Sequence, residues 1–370
     1  MTSPSLLVAA DLGIGLTCAA LALLVAVIKL TRAVAASSRQ ARVAPYRVPV
    51  LSVAAGGDED DAASATLREV PDRDWGAVRD VVVAMLGKVR GDSARTLVRL
   101  LDARGEFERA RSALRSRRAI RRARAAYLLG LAGQQRDAGL LLPLLGDRSA
   151  EVRLVAARSL GALGDPAAAP AMFGALGLVR GQPGIPIAVA AEALLNFGTG
   201  AVQAVIEAMG SADVTLRAAA TMVAAEGALS ATAPRLRQLL ADEPDLDVRI
   251  SAALALGRVG GADDVARLAA LTGAAQPTAL RRAAALALGE LGHPDAVPIL
   301  SRLLSDPDIR LAQHSGDALV RVGPPGVRAL TEAASGSGPG NPAGRVAAGS
   351  LAIARLRKAP LVPTEPVSSR

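Results

Sequence analysis

A pattern that returns about every thirty-two residues constrains this chain more than any other feature. One copy reads Glu151-Val152-Arg153, Ala156-Ala157 and Leu160-Gly161-Ala162-Leu163-Gly164-Asp165-Pro166. Others read Asp247-Val248-Arg249, Ala252-Ala253, Leu256-Gly257-Arg258-Val259-Gly260, and Ala279-Leu280-Arg281, Ala284-Ala285, Leu288-Gly289-Glu290-Leu291-Gly292. An earlier copy carries Arg122, Ala125-Ala126 and Leu129-Gly130-Leu131-Ala132-Gly133. Arg122 and Arg153 lie 31 positions apart, Arg249 and Arg281 lie 32 apart, and the 96 between Arg153 and Arg249 make room for two degenerate copies. Those fall around Ala188–Gly198 and Leu216–Ala228, with weaker ones near Ala312–Gly323 and Arg345–Leu356.

Within a copy, Val152, Val155, Ala156, Leu160 and Leu163 keep helical spacing and make one buried stripe. Gly164 predicts a left-handed stop, and Asp165-Pro166 a cap and first residue for the next helix. Gly161 predicts a close approach of the paired helix. Ordering one such hairpin of ~31 residues costs on the order of 45 kcal/mol. Offsetting that takes roughly 1,800 Å² of apolar burial, which two short Ala-rich helices cannot find between themselves. Neighbouring hairpins can supply it, so the expected fold class is all-α, an α-solenoid of stacked helical hairpins over 75–357.

The pattern of Glu-Val-Arg, Asp-Val-Arg or Ala-Leu-Arg, then Ala-Ala, then Leu-Gly-x-Leu-Gly or Leu-Gly-x-Val-Gly, at 151–166, 247–260 and 279–294, resembles the HEAT repeat family, in particular its short bacterial, phycobilisome-lyase-like members. The resemblance implies a surface that binds other proteins, with the second helices (166–176, 234–241, 263–271, 295–304) lining it. It does not carry a lyase activity over to this chain.

Ahead of the repeats, Leu12 to Ile28 contains no charged residue, and counting back to Leu6 lengthens the stretch to more than 20 with only Asp11 in it. That suffices to span a ~30 Å hydrocarbon core. No Lys or Arg precedes it, whereas Lys29, Arg32, Arg39, Arg42 and Arg47 follow. Residues 1–30 are therefore expected to be an uncleaved single-pass transmembrane anchor in the cell membrane, N-terminus outside and solenoid cytoplasmic. Residues 31–74, with Pro45, Pro49, Gly56-Gly57 and the acidic run Asp58–Asp61, are expected to be a flexible linker, and 358–370 a disordered tail.

Of the net charge of +9, residues 76–147 hold nearly all, with 15 basic and 7 acidic groups. Nine arginines crowd Arg104–Arg124, and Arg111, Arg115, Arg118 and Arg122 follow 4, 3 and 4 spacing, as if on one helix face, with Arg121 and Arg124 completing the candidate patch. An anionic lipid or acidic partner is the ligand such a patch suits. The recurring Arg153, Arg217, Arg249 and Arg281 have a structural reading instead, each pairing with an acid or carbonyl of the adjacent repeat, as do Gly130, Gly164, Gly260 and Gly292 at the helix contacts and turns. Nucleic acid is disfavoured because aromatic residues make up 2% of the chain and do not interleave with the arginines. Catalysis is disfavoured too: His293 and His314 are the only histidines and Cys18 the only cysteine. No metal or cofactor site is expected. The functional expectation is a non-catalytic, membrane-anchored scaffold or accessory protein for a protein partner such as an integral membrane protein.

Overall fold

The computed structural model describes Leu21 and residues 23–27, 29–31, 37–56, 62–336 and 341–358. They are almost wholly helical and divide into two compact units, Met1–Ser116 and Arg117–Arg370.

In the first unit, α1 (Arg47–Ala55), α2 (Ala62–Arg68), α3 (Asp72–Leu86), α4 (Gly91–Ala103) and α5 (Glu106–Ala113) pack together. The described parts of the expected linker, 37–56 and 62–74, are therefore folded. Val43, Val50, Val53, Leu67 and Val70 within 31–74 are almost fully buried alongside Val78, Val82 and Leu97. Pro49 falls in the first turn of α1, where proline's missing N–H has no partner to lose. Behind α3, the Trp75 indole N–H donates to buried Glu106 at 2.5 Å, and the Arg104 guanidinium lies 4.3 Å from the Trp75 ring centroid.

The anchor expected at 1–30 falls mostly outside the described residues, as does the tail from 359 onward. Among the described residues no helix is long and apolar enough to cross a membrane. The longest, Pro342–Lys358, has 17 residues and carries Arg345, Arg355, Arg357 and Lys358. That is short of the ~20 apolar residues a span requires, and it overturns the expected single-pass membrane placement.

The second unit is a stack of hairpins. It opens with α6 (Ala119–Ala132) and α7 (Ala138–Leu141), then α8 (Ala150–Leu163) and α9 (Ala169–Gly174). A two-residue antiparallel hairpin follows, β1 (Leu178–Val179) with β2 (Gln182–Pro183), turning through Arg180 and Gly181, both at positive φ. Next come α10 (Ile187–Asn196) with α11 (Val202–Ala208), and α12 (Val214–Glu226) with α13 (Ala233–Asp242). The array continues through α14 (Leu246–Val259) with α15 (Asp264–Ala270) and α16 (Thr278–Leu291) with α17 (Val297–Leu303). It closes with α18 (Ile309–Val322), α19 (Pro324–Gly336) and α20 (Pro342–Lys358).

The longer first helices, α6, α8, α10, α12, α14, α16 and α18, pack side by side in sequence order. The glycine of each Leu-Gly pair faces the next first helix, not its own hairpin partner. A β-carbon at 161 would stand 2.8 Å from Cα of Ala193; at 257 and 289 it would stand 2.6 Å from Cα of Ala287 and Ala318. Gly130 meets Ser159 in the same way. The expectation for Gly161 was right about a close approach but named the wrong helix. Gly133, Gly164 and Gly292 end their helices at φ of 67–68°. Gly260 departs from that pattern, with an extended backbone (φ −75°, ψ −177°). There, the Asp264 carboxylate accepts from the N–H of Gly261 at 3.0 Å. Asp165 and His293 cap the turns that follow, accepting from the N–H groups of Ala167 and Asp295.

The recurring arginines sit four residues past each first helix's N-cap and reach the loop that leads into the next first helix. Arg122 makes a two-pronged pair with Asp147 at 2.7 Å on each prong, and Arg217 does the same with Glu243. Arg281 pairs with Asp306. Arg153 has no acid within reach among the described residues and donates to two backbone carbonyls, Asp147 at 2.8 Å and Pro183 of the β-hairpin at 2.6 Å. Arg282 with Asp308 and Arg237 with Asp264 add two further forks. The guanidinium of Arg217 holds the Glu243 carboxyl below its usual range against the opposing effect of burial, and Arg237 does so for Asp264. For Asp147, burial is the largest single influence and pushes upward. The combined pull of Arg122 and the Ser149 N–H outweighs it. Arg282 lowers Asp308 to about 2.

Arg249 is the weak rung. Its partner is the neutral Gln276 at 3.3 Å, and its buried Nε has no hydrogen-bond partner among the described residues. Gln276→Glu supplies the carboxylate that Glu243 supplies to Arg217. It is expected to stabilise the chain by about 1 kcal/mol, the usual difference between a charge-assisted fork and a neutral contact. Urea denaturation checks this: the midpoint should rise, and an unchanged or lower midpoint contradicts the fork.

Candidate interaction surface

The solvent side of the first-helix layer carries an apolar strip. Counting from each N-cap, the ninth residue is Leu195 in α10, Met222 in α12, Leu254 in α14 and Leu286 in α16, all half-buried. The first residue past the cap is Ile187, Val214 and Leu246 in α10, α12 and α14, exposed by 38%, 41% and 36%. Half-buried Ile250 fills the space between Leu246 and Leu254. Residues one, five and nine along a helix stand on one face. At the fifth place Ala218 of α12 and Ile250 of α14 are half-buried too, whereas Ala191 of α10 is buried and Arg282 of α16 pairs with Asp308. With packed helices roughly 8–10 Å apart, the strip crosses four successive repeats, about 25–30 Å. It turns polar at either end, where Arg158 of α8 and Asp317 of α18 take the ninth place.

This side chain set does not come from the core. The residues that hold the stack, such as Val248, Ala252, Leu256, Leu280 and Leu288, are at 0% exposure on other faces of the same helices. Nor does it come from the second helices, which the family resemblance put at the binding face.

The arginine patch does not form the single helical face its spacing implies. The helix breaks between Ala113 and Ala119: α5 ends at Ala113, and Arg118 takes an extended backbone (φ −87°, ψ 118°) ahead of α6. Arg111 belongs to α5 of the first unit, half-buried and paired with Glu108, and Arg115 follows the helix end. Arg118 is the N-cap of α6, and Arg121 and Arg124 are exposed on that helix. Arg122 is buried, 7% exposed, in its fork with Asp147, so it is a structural rung and not a surface group. Among the described residues no group of three or more His, Cys, Asp or Glu side chains is placed to hold a metal ion.

A model of HEAT repeats matches residues 202–284 and 270–352, and one of the PBS lyase HEAT-like repeat matches 152–172. These stretches are HEAT repeats. They include α12 to α18, and with them most of the apolar strip.

No curated protein matches the chain. Among solved structures, a mutant of Kap121p is similar with a TM-score of 0.50 at 14% identity, covering 80% of this chain and 39% of that one. The CpcE–CpcF complex of phycocyanin lyase from Nostoc sp. PCC7120 is matched at 21% identity and a TM-score of 0.31, over 61% of this chain and 92% of that one. Human deoxyhypusine hydroxylase is matched at 21% identity and a TM-score of 0.27, over 83% and 96%. At such identities the Kap121p likeness speaks for a solenoid-like fold of helical repeats and for nothing more.

Proposed function

We propose that this chain is a non-catalytic interaction scaffold that takes a protein partner on the first-helix strip of its HEAT repeats. The observation that carries the reading is the strip itself. A large apolar side chain recurs at the ninth helical position in four successive repeats, and at the first in three of them, between two polar ends. A partner presenting its own apolar ridge would bury them, and the closely spaced helices form a regular platform for that contact. The arginines that recur through the stack are consumed in holding loop to loop, which leaves the strip as the repeating feature open to a ligand.

The test is quantitative capture from native extract on three versions of the chain: parent, Met222→Arg with Leu254→Arg, and Arg115→Ala with Arg121→Ala and Arg124→Ala. The strip variant is expected to lose at least tenfold of the specifically captured protein while keeping the parent's helical circular dichroism, and the patch variant to retain it. Equal capture by strip variant and parent contradicts the reading. Loss confined to the patch variant would point to an acidic partner on the arginines instead.

A further inference from the structure

A second site lies in the first unit, unrelated to the strip. Residues 37–47 and α3 bound an open groove of about 640 Å³. That size is within the roughly 300–1,000 Å³ typical of small-molecule sites. Val43, Ala77, Val81, Ala84 and Met85 supply its apolar surface. On α3 the lining positions 77, 80, 81, 84, 85 and 88 keep helical spacing, so one face of the helix forms a continuous wall.

The polar lining is lopsided. Arg39, Arg47 and Lys88 stand around the groove with Gln40, and the one acid, Asp80, is taken by Arg79 at 2.9 Å. None of the three cations has a carboxylate partner among the described residues. Other arginines of the chain are held in carboxylate forks, as those to Asp147, Glu243 and Asp308 are. Three unneutralised cations at an apolar groove invite a ligand with an anionic head and an apolar tail.

We propose that this groove binds a free, single-chain anionic amphiphile, a long-chain carboxylate being the simplest. The tail lies along Val43, Val81, Ala84 and Met85, and the carboxylate sits among Arg39, Arg47 and Lys88. The length of one helix face favours a single extended chain, and the confined volume favours a monomeric ligand over a membrane surface.

Isothermal titration of the full chain with sodium dodecanoate below its micelle concentration tests this. Saturable one-to-one binding is expected, at least tenfold tighter than for dodecyltrimethylammonium. Arg39→Glu with Arg47→Glu and Lys88→Glu should weaken dodecanoate at least tenfold and strengthen the cationic amphiphile. Ala84→Trp, at an exposed position on the wall, should block both; these side chains are exposed, so the variants keep the fold, which circular dichroism verifies. Equal affinity for the two amphiphiles, or binding unchanged by Ala84→Trp, overturns the proposal. So does full displacement by inorganic phosphate, which would mean that the charge alone is recognised. Binding to phosphatidylglycerol vesicles without binding of monomeric dodecanoate overturns it in favour of a membrane surface.

Discussion

Gly257→Val is expected to destabilise the second unit by about 3 kcal/mol, the upper end of what overpacking a tight contact costs. A β-carbon at 257 would meet not a flexible side-chain tip but backbone, Cα of Ala287 at 2.6 Å and its carbonyl oxygen at 2.7 Å. Only a shift of α16 away from α14 relieves that, and the shift would open the interface between two repeats. In a stack where each repeat is stabilised by its neighbours, weakening one internal interface also weakens the coupling across it. Urea unfolding followed by circular dichroism should therefore show an earlier and broader transition than the parent. Gly139→Ala is the control: nothing lies within 4 Å of a β-carbon there, and the backbone is helical. It should be neutral or slightly stabilising, by less than about 1 kcal/mol. Equal midpoints for Gly257→Val and the parent would contradict the close contact.

Arg217→Met should cost about 3–5 kcal/mol at neutral pH, because it strands a carboxylate that is only 2% exposed. Removing both partners together, as Arg217→Met with Glu243→Leu, should recover most of that loss, since two apolar groups can fill the space that a desolvated pair occupied. The pH dependence follows from the direction of the shift. The folded pKa of Glu243 lies below its ordinary value. The pair's contribution is thus complete above the unfolded value, near 4.3, and is lost as pH falls through the depressed folded value. In the variant, the stranded carboxyl is free to protonate and gains by doing so. The stability gap between parent and Arg217→Met should therefore narrow as pH is lowered from about 5 to 3. A gap that stays constant or widens over that range would contradict the assignment. Asp147, Asp264 and Asp308 are lowered in the same direction, so the parent itself should lose stability on acidification through the same region.

What could be read in advance was whatever depends on local periodicity. Gly164 and Gly292 announce left-handed helix ends, and Leu160, Leu256 and Leu288 announce a buried stripe, because those roles are set by neighbours a turn away. Partners further off were harder to name. That Arg153 would settle on the Pro183 carbonyl depends on a two-residue β-hairpin whose only local sign is Arg180-Gly181. That Gly161 would face α10 and not α9 depends on how hairpins stack, which a single repeat does not encode. Prolines and an acidic run made 31–74 read as a spacer, yet Val43, Val50, Val53 and Leu67 were already at helical distances from one another. Their signal was weak because each helix there is short. The break between α5 and α6 was hidden in the opposite way, by an arginine spacing regular enough to pass for one helix over buried residues, Phe107 and Ala125, that stand five whole turns apart. The strip was legible in principle: Leu195, Met222, Leu254 and Leu286 align as soon as the repeats are superimposed on their caps. Periodicity alone does not tell such a column from a core position, and only the packing leaves it in solvent.

The most direct test of the stacked-repeat account is thermal unfolding, by circular dichroism, of the chain with residues 246–277 deleted. The cut removes α14, α15 and their loops, one full period as measured from Arg249 to Arg281. It leaves Asp245 to cap α16 and keeps the Arg217–Glu243 fork. If the unit is a one-dimensional array, α12 can pack on α16, and the shortened chain should keep the parent's helicity per residue and melt cooperatively at a modestly lower temperature. A deletion product without cooperative melting, no better ordered than one lacking only the half-repeat 262–277, would contradict it.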